Sequence, residues 1–370
     1  MDRIDAAELE AFAGTLLQEV GAPAATAEAV AASLVEADLK GHTSHGVLRI
    51  PTYRQMIADG VLVPDAEPTV VDGTGDSATA VVDGNGTFGQ VVGRTAVDAL
   101  AERASEHGLA CVGIRNATHL GRIGEWAEAI AERELCFLSF VHTSGGGLVV
   151  APAGSTTRRF STNPITCAVP TFDRLPFPLV LDMATSQVAH GKLDAAEADG
   201  RSLPPEWAVT PEGEPLIDPG AMGSFREGDT WGAIRPLGGT TAGHKGTGLA
   251  VMTELFAGLL GGGPVAGQRD PDAWFTNGAC FLAIDPARFG DRERMADQVE
   301  ALVEHVRAAD AHPDVPVGDA AKGEELLLPG EAEHRTAERN ATEGIPLPPR
   351  VIEQLAALAD EFGVDGPFGE

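Results

Sequence analysis

Thr79-Ala-Val-Val-Asp83-Gly84-Asn85-Gly86-Thr87-Phe88-Gly89-Gln90 decides between two α/β architectures. The β-branched run Thr79 to Asp83 reads as a strand, and a helix follows from about Gln90 to Glu106. Between them the glycines keep the G-x-G-x-x-G spacing of a dinucleotide-binding turn, which needs a strand before it and a helix after it. The next strand, Leu109 to Ile114, ends in Arg115-Asn116 rather than in the acid that would hold a ribose. An arginine there suits a 2'-phosphate instead. The competing reading is that these glycines only shape a tight turn, and the stretch by itself leaves both open.

Towards the N-terminus the chain reads as helices. Asp5-x-x-Glu8 resembles a capping box opening a helix through Val20, with Gly21 as its stop. Thr26 to Lys40 carries Val30, Leu34, Val35 and Leu39 at helical spacing, and a third helix ends before Gly60. Towards the C-terminus strands and helices alternate. Strands are expected at Thr69 to Asp72, Cys136 to His142, Ile165 to Pro170, Leu179 to Asp182 and Cys280 to Asp285. Helices are expected at Ser186 to Ala198, Gly246 to Leu260, Arg292 to Asp310 and Pro348 to Phe362, with a polar helix before the last. The proline- and glycine-rich interval Leu203 to Gly239 reads as loops and short strands.

Composition bounds the function. The 370 residues are enough for two or three domains, and 43% apolar content is that of a soluble globular chain. A formal charge of −29 with no basic stripe argues against nucleic acid as a partner. Lys40, Lys192, Lys245 and Lys322 are the only lysines, a pattern that fits a GC-rich genome or, as a hypothesis, a salt-rich cytoplasm. The acidic N-terminus has no signal-peptide core, and the longest apolar run, Leu249 to Leu260, is too short to span a bilayer. Cys111, Cys136, Cys167 and Cys280 show neither Cys-x-x-Cys nor zinc spacing. A reduced, cytoplasmic enzyme with buried thiols is expected.

Chemistry concentrates in a few stretches. Gly41 to Tyr53 holds Ser44, His45, Gly46 and Arg49: an imidazole that titrates near neutrality, a hydroxyl beside it, and a guanidinium that grips a carboxylate. A helix cap is the plainer reading. Asn116-Ala-Thr-His119-Leu-Gly-Arg122-Ile-Gly124 follows a strand and opens a helix, so its amides and Arg122 could meet an anion there. Ser161 to Pro164 and Leu181 to Ser186 put small polar residues at strand ends, and His190 and Asp194 share one helical face. Gly243-His-Lys245-Gly fails the phosphate-loop pattern, and no Gly-x-Ser-x-Gly elbow supports a hydrolase. His42-x-x-His45 lacks further ligands nearby, so no metal is expected.

Taken in order, Ser-His-Gly-x-x-Arg, Asp83-Gly-x-Gly-x-x-Gly-Gln90, Ala117-Thr-His-x-Gly, Ser-Thr-Asn-Pro, Leu-Asp-Met-Ala-Thr-Ser, Gly-His-Lys-Gly-x-Gly-Leu-Ala and Leu-Pro-Gly-Glu resemble the malate/L-lactate dehydrogenase family. This family is separate from the Rossmann lactate and malate enzymes. It includes ureidoglycolate, sulfolactate and 2,3-diketo-gulonate enzymes and piperideine-2-carboxylate reductases. The resemblance implies a non-Rossmann α/β fold, in which a mixed-sheet NAD(P)-binding domain lies beside a helical layer built from both chain ends. It implies three parts: residues 1–75, joined in space by about 240–270 and 345–370; residues 76–116 with about 275–330; and a cofactor-binding part, 117–235. It also implies a homodimer, and makes Asp83 to Gly89 a structural turn.

By the same resemblance His45 is the proton donor and acceptor, with Ser44 and Asp194 as its relay partners, while His119 is the rival acid–base group. Arg49, Thr162 and His190 contact a small carboxylate substrate. NAD or NADP lies against His119, Leu120, Gly121, Arg122, Ile123, Ser144, Asp182, Met183, Ala184, Lys245, Pro329, Gly330 and Glu331. His244 and Thr247 stand where many relatives carry aromatics. The implied reaction is reversible hydride transfer between a 2-hydroxy acid, such as malate or lactate, and its 2-oxo acid. Reduction of a cyclic 2-imino acid and catalytically silent binding of acidic metabolites are the alternatives.

Overall fold

The computed structural model describes residues 3–72, 77–223, 231–268, 270, 273–312, 314 and 326–368. The expected boundary near residue 75, and residues 224–230 of the proline- and glycine-rich interval, lie outside them. In chain order the elements are β1 (Arg3–Ile4), α1 (Ala6–Glu19), α2 (Ala24–Leu39), α3 (Ile50–Ala58), β2 (Thr69–Asp72), β3 (Thr79–Asp83), α4 (Gly89–His107), β4 (Leu109–Ala117), α5 (Ile123–Ala131) and β5 (Cys136–Ser144). They continue as β6 (Ile165–Val169), β7 (Leu179–Met183), α6 (His190–Ala198), β8 (Ala208–Val209), β9 (Ala233–Ile234), α7 (Gly239–Gly261), β10 (Thr276–Ile284), α8 (Arg292–Arg307), α9 (Glu331–Glu343), β11 (Ile345–Pro346) and α10 (Pro349–Phe362). None of the described helices is long and apolar enough to cross a membrane.

Seven strands form one mixed sheet in the order β2-β3-β4-β10-β5-β6-β7. Only β3 and β4 pair in parallel, joined by the α4 crossover, while β10 runs antiparallel to both β4 and β5. A doubly wound dinucleotide fold needs a largely parallel sheet, so this fold is not one. The directions have a functional consequence. The carboxyl ends of β3, β4, β5 and β7 and the starts of β6 and β10 all lie along one edge. Residues just after β4, β5 and β7 are thereby brought together although they are far apart in sequence.

Two large cores sit side by side. One packs α4 and α5 on the sheet through Val92, Leu100, Trp126 and Ile130 against Val112, Ile114 and Phe281. The other joins Leu9, Leu16, Leu34, Ile50, Tyr53 and Met56 to Ile345, Leu347 and Leu355, so both chain ends build the helical layer. Each such large side chain, fully buried, contributes roughly 1.5–3 kcal/mol. Asp5 caps α1 through the amides of Ala7 and Glu8, and Gly21 ends that unit at a positive φ.

The segment 240–270 does not join that layer, contrary to expectation: α7 packs on β4, β5 and β10, with Phe256 stacked on Phe140 at 4.6 Å. The sheet also runs unbroken through the expected division at 116/117, because β4 itself spans it.

Candidate active site

Asp38, near the end of α2, shapes the turn that carries the histidine. Its carboxyl accepts from the Val47 amide at 2.8 Å, and a Cβ on Gly46 would stand 2.1 Å from Asp38 Oδ1, so only glycine fits. Burial pushes Asp38 up to about 8, only partly countered by that amide; near neutral pH it is mostly the uncharged acid. Two short 3-10 turns, Thr43–His45 and Val47–Arg49, then lead into α3. That turn brings His45 to the residues just beyond the end of β4.

There the two candidate acid–base residues meet. His45 Nδ1 lies 2.9 Å from His119 Nε2, with the rings parallel to within 2°. His119 Nδ1 lies 2.8 Å from the hydroxyl of Tyr53, to which Gln90 Nε2 donates at 2.7 Å. Burial, and then the charges of Arg49, His42 and Arg122, push the His45 imidazole down to about 3. Burial, Arg49 and His45 hold His119 well below its usual value. Both rings are therefore neutral at pH 7, each with one N–H and one lone pair.

Arg49 sits one turn from His45, its Nε donating to the Ser44 carbonyl at 2.6 Å. Burial draws it below the usual arginine range, against the pull of Tyr53 and Asp194. Ser44 packs against the start of α6, where a Cβ on Gly191 would come 2.7 Å from Ser44 Cβ. Asp194 does not partner His45, as the relay expectation required. Its carboxylate meets His190 Nδ1 at 3.3 Å. Burial raises Asp194, but His190, Arg49 and Arg350 outweigh it and keep the carboxylate below its usual range. The Thr162 carbonyl accepts from the Thr185 amide at 2.9 Å, tying the approach to β6 to the residues after β7.

Several expected cofactor positions turn out to be committed to the protein. The start of α5 does meet an anion, but it is Asp182, which accepts from the Gly124 amide at 2.7 Å and from Thr166 Oγ1 at 2.8 Å. Arg122 is buried and paired with Glu128 and, at 3.4 Å, with Glu36. Glu331 is buried under Arg307 and Arg335. Pro329 binds the Val180 amide at 3.2 Å, which sets Gly330 beside the first residues of β7, away from its carboxyl end. Ser144, Met183 and Ala184 do lie on the edge that holds His119. Leu120, Gly121 and Ile123 form the turn beyond His119, with the Leu120 amide held by Asn277 at 2.9 Å. Lys245 is exposed near the start of α7, which Leu237 ties to Thr185 at 2.9 Å.

The glycine fingerprint has a mechanical explanation. A Cβ on Gly89 would stand 2.1 Å from the His119 carbonyl oxygen, and one on Gly84 would stand 2.7 Å from that of Asn116. These glycines let α4 press against the backbone carrying His119. Arg115, which could have met a 2'-phosphate, is paired with Asp83 at 2.8 Å. Asp38, Tyr53 and Gln90 were missed as site residues. Tyr53 is the chain's single tyrosine and Gln90 directly follows the last glycine, the only hints the sequence held. No group of three His, Cys, Asp or Glu able to hold a metal occurs among the described residues.

A coupled imidazole pair and a guanidinium at the carboxyl edge of a mixed sheet are the parts that acid–base chemistry beside a carboxylate requires. The chain belongs to the malate/L-lactate dehydrogenase family, whose model matches residues 4–356. It is 34% identical to hydroxycarboxylate dehydrogenase B of Escherichia coli (strain K12) over 368 residues, 98% of this chain and 95% of the relative. The malate dehydrogenase structure from Pyrococcus horikoshii superposes with a TM-score of 0.82 at 30% identity, covering 99% of this chain and 97% of that one. The delta1-piperideine-2-carboxylate reductase of Pseudomonas syringae gives 0.80 at 29%, covering 97% and 100%.

Proposed function

We propose that the protein is an NAD(P)-dependent 2-hydroxy acid dehydrogenase, interconverting a small 2-hydroxy acid such as malate or lactate with its 2-oxo acid. The observation that carries this reading is the 2.9 Å pairing of His45 with His119, one turn from Arg49. Oxidation of an alcohol requires a base for the hydroxyl proton, and a neutral imidazole is one. Arg49 would hold the substrate carboxylate, with Thr162 and His190 at the rim. That carboxylate would offset the Arg49 charge that helps to depress His45, so the ring becomes easier to protonate once substrate is bound.

A bound nicotinamide would take or supply the hydride. Ser144, Met183 and Ala184, on the same edge as His119, are suited to holding it, with Leu120, Gly121 and Ile123 beneath. Lys245 and the Pro329–Glu331 loop would serve more distant parts of the cofactor. Arg122 and Asp182, each already committed to protein partners, would shape that surface from behind.

A homodimer fits the exposed apolar stripe Val251, Met252, Leu255 and Leu259 along α7, repeated at helical spacing. All four cysteines are free thiols, which agrees with a reducing, cytoplasmic setting.

His45→Ala tests the assignment: turnover should fall by a factor on the order of 10²–10⁴ with NAD(P)H binding intact. Near-normal turnover would transfer the role to His119. The likeness to a piperideine-2-carboxylate reductase supports a second reading, reduction of a cyclic 2-imino acid on the same residues. Pyruvate, oxaloacetate and piperideine-2-carboxylate, assayed in parallel with NADH and NADPH, separate the two.

A further inference from the structure

Gln90, Tyr53, His119 and His45 form an unbroken hydrogen-bond series of 2.7, 2.8 and 2.9 Å that crosses from α4 through α3 to the end of β4 and back to the turn before α3. Its first three members are buried, with exposures of 2% for Gln90, 0% for Tyr53 and 7% for His119, whereas His45 keeps part of its surface accessible. Phe88 packs edge-on against Tyr53, and Phe275 against His119, so neither ring can swing out without displacing an aromatic neighbour.

In such a series each link dictates the next. Taking the Gln90 amide nitrogen as the donor at 2.7 Å, the Tyr53 oxygen accepts and its own proton is directed to His119 Nδ1. His119 then carries its proton on Nε2 and donates it to His45 Nδ1. His45 is left with its proton on Nε2, at the accessible end.

We propose that Tyr53 and Gln90 are positioning residues that give the histidine pair a fixed direction, and that Tyr53 extends the pair into a three-residue proton relay of which it is the inner terminus. The inference rests on the dehydrogenase reading. In the reductive direction the carbonyl carbon gains a hydride and its oxygen becomes an alkoxide. That oxygen takes the Nε2 proton of His45, His45 Nδ1 takes the Nε2 proton of His119, and His119 Nδ1 takes the Tyr53 proton. The deficit ends on a Tyr53 phenolate; burial, with Glu125, opposes that charge and holds the phenol up at about 12, while the Gln90 hydrogen bond and the Arg49 charge favour it. Water returns one proton to the relay after release of the hydroxy acid. Oxidation runs the same transfers in reverse, from a relay that has first given that one proton up to water.

The first test needs no turnover. In ¹⁵N-histidine spectra of the full chain, His119 should be the Nε2–H tautomer, and Tyr53→Phe should abolish that preference. A His119 protonated on Nδ1 in the wild type, or a tautomer unmoved by Tyr53→Phe, would overturn the proposal even if the protein is a dehydrogenase. Because Tyr53 is the only tyrosine, Tyr53→Phe also removes the relay terminus without altering any other residue of its type. With active enzyme, kcat for oxo acid reduction should drop on the order of 10-fold or more with KM for the acid unchanged. Equal losses in kcat/KM and cofactor affinity, or a change below about twofold, would mean a merely structural tyrosine. If the wild type shows the Nε2–H tautomer but turns over no substrate, the dehydrogenase reading fails while the directed series stands.

Discussion

At His45 burial first, and then the electrostatic influence of Arg49, His42 and Arg122, keeps the imidazole neutral. The sign of the pH dependence follows. A ring whose imidazolium pKa lies near 3 stays neutral throughout the neutral range, so protonation of His45 should cause no fall in kcat/KM from about pH 8 down to about pH 5. A fall centred near the ordinary histidine value of ~6.5 would contradict this. Asp38 carries an opposite kind of prediction. Burial raises its folded pKa to about 8, far above the ordinary aspartate range, so it contributes stability that is present in acid and is lost as pH rises from that ordinary range towards 8. Asp38→Asn, which keeps an acceptor for Val47, should flatten the decline, worth at most about 1.4 kcal/mol per pH unit, in denaturant titrations across the range. An unchanged slope would show that Asp38 titrates normally. Both histidines are legible in the sequence because each stands in a compact motif, but their pairing is not, since it joins positions 74 residues apart and nothing local signals it. The assigned Asp194–His45 relay failed for a related reason: His190, four residues from Asp194, was the nearer partner.

The turn between β3 and α4 shows how one spacing can serve two purposes. Its glycines were legible, but whether they faced a phosphate or a neighbouring backbone depended on what packed against them. Gly89 meets the His119 carbonyl. Gly89→Ala should therefore move His119 and destabilise the protein on the order of 1–3 kcal/mol, measured as a lowered denaturation midpoint with reduced turnover. Wild-type stability and turnover would show that α4 can shift freely there. Helix limits were legible wherever caps were local, as at Asp5 and Gly21, and less so where the chain is tied elsewhere. Residues 186–189, expected to be helical, are instead tied to the 235–237 segment by the Gln187 amide donating to the Arg235 carbonyl at 2.8 Å, and Ser186 Oγ turns onto the Val188 carbonyl at 2.7 Å, so α6 starts at His190. Conversely α7 begins early, at Gly239, because a turn at 239–242 runs into the main helix across a kink at Ala242.

For the molecule as a whole, the alternation of strands and helices made the α/β class legible, and the motif series pointed to the helical layer made from both ends. The mixed order of the sheet is not legible, because β10 returns from far downstream, well over 100 residues beyond β5, to lie between β4 and β5. That insertion also explains why the expected three-part division does not follow the sheet. The α7 stripe predicts a particle of twice the chain mass by light scattering, and Leu255→Lys with Leu259→Lys should shift it towards the monomer; a monomeric wild type would contradict the dimer. A charge of −29 predicts a thermal midpoint that rises from low to molar KCl as self-repulsion is screened, and indifference to salt would remove the salt-rich-cytoplasm hypothesis. The most direct test of the central claim follows the hydride itself. With [2-²H]malate or [2-²H]lactate and oxidised nicotinamide cofactor, NMR of the products should find deuterium on C4 of the reduced nicotinamide, and the label should be lost with His45→Ala. Deuterium appearing only in solvent water, or no transfer from either acid, would contradict the account.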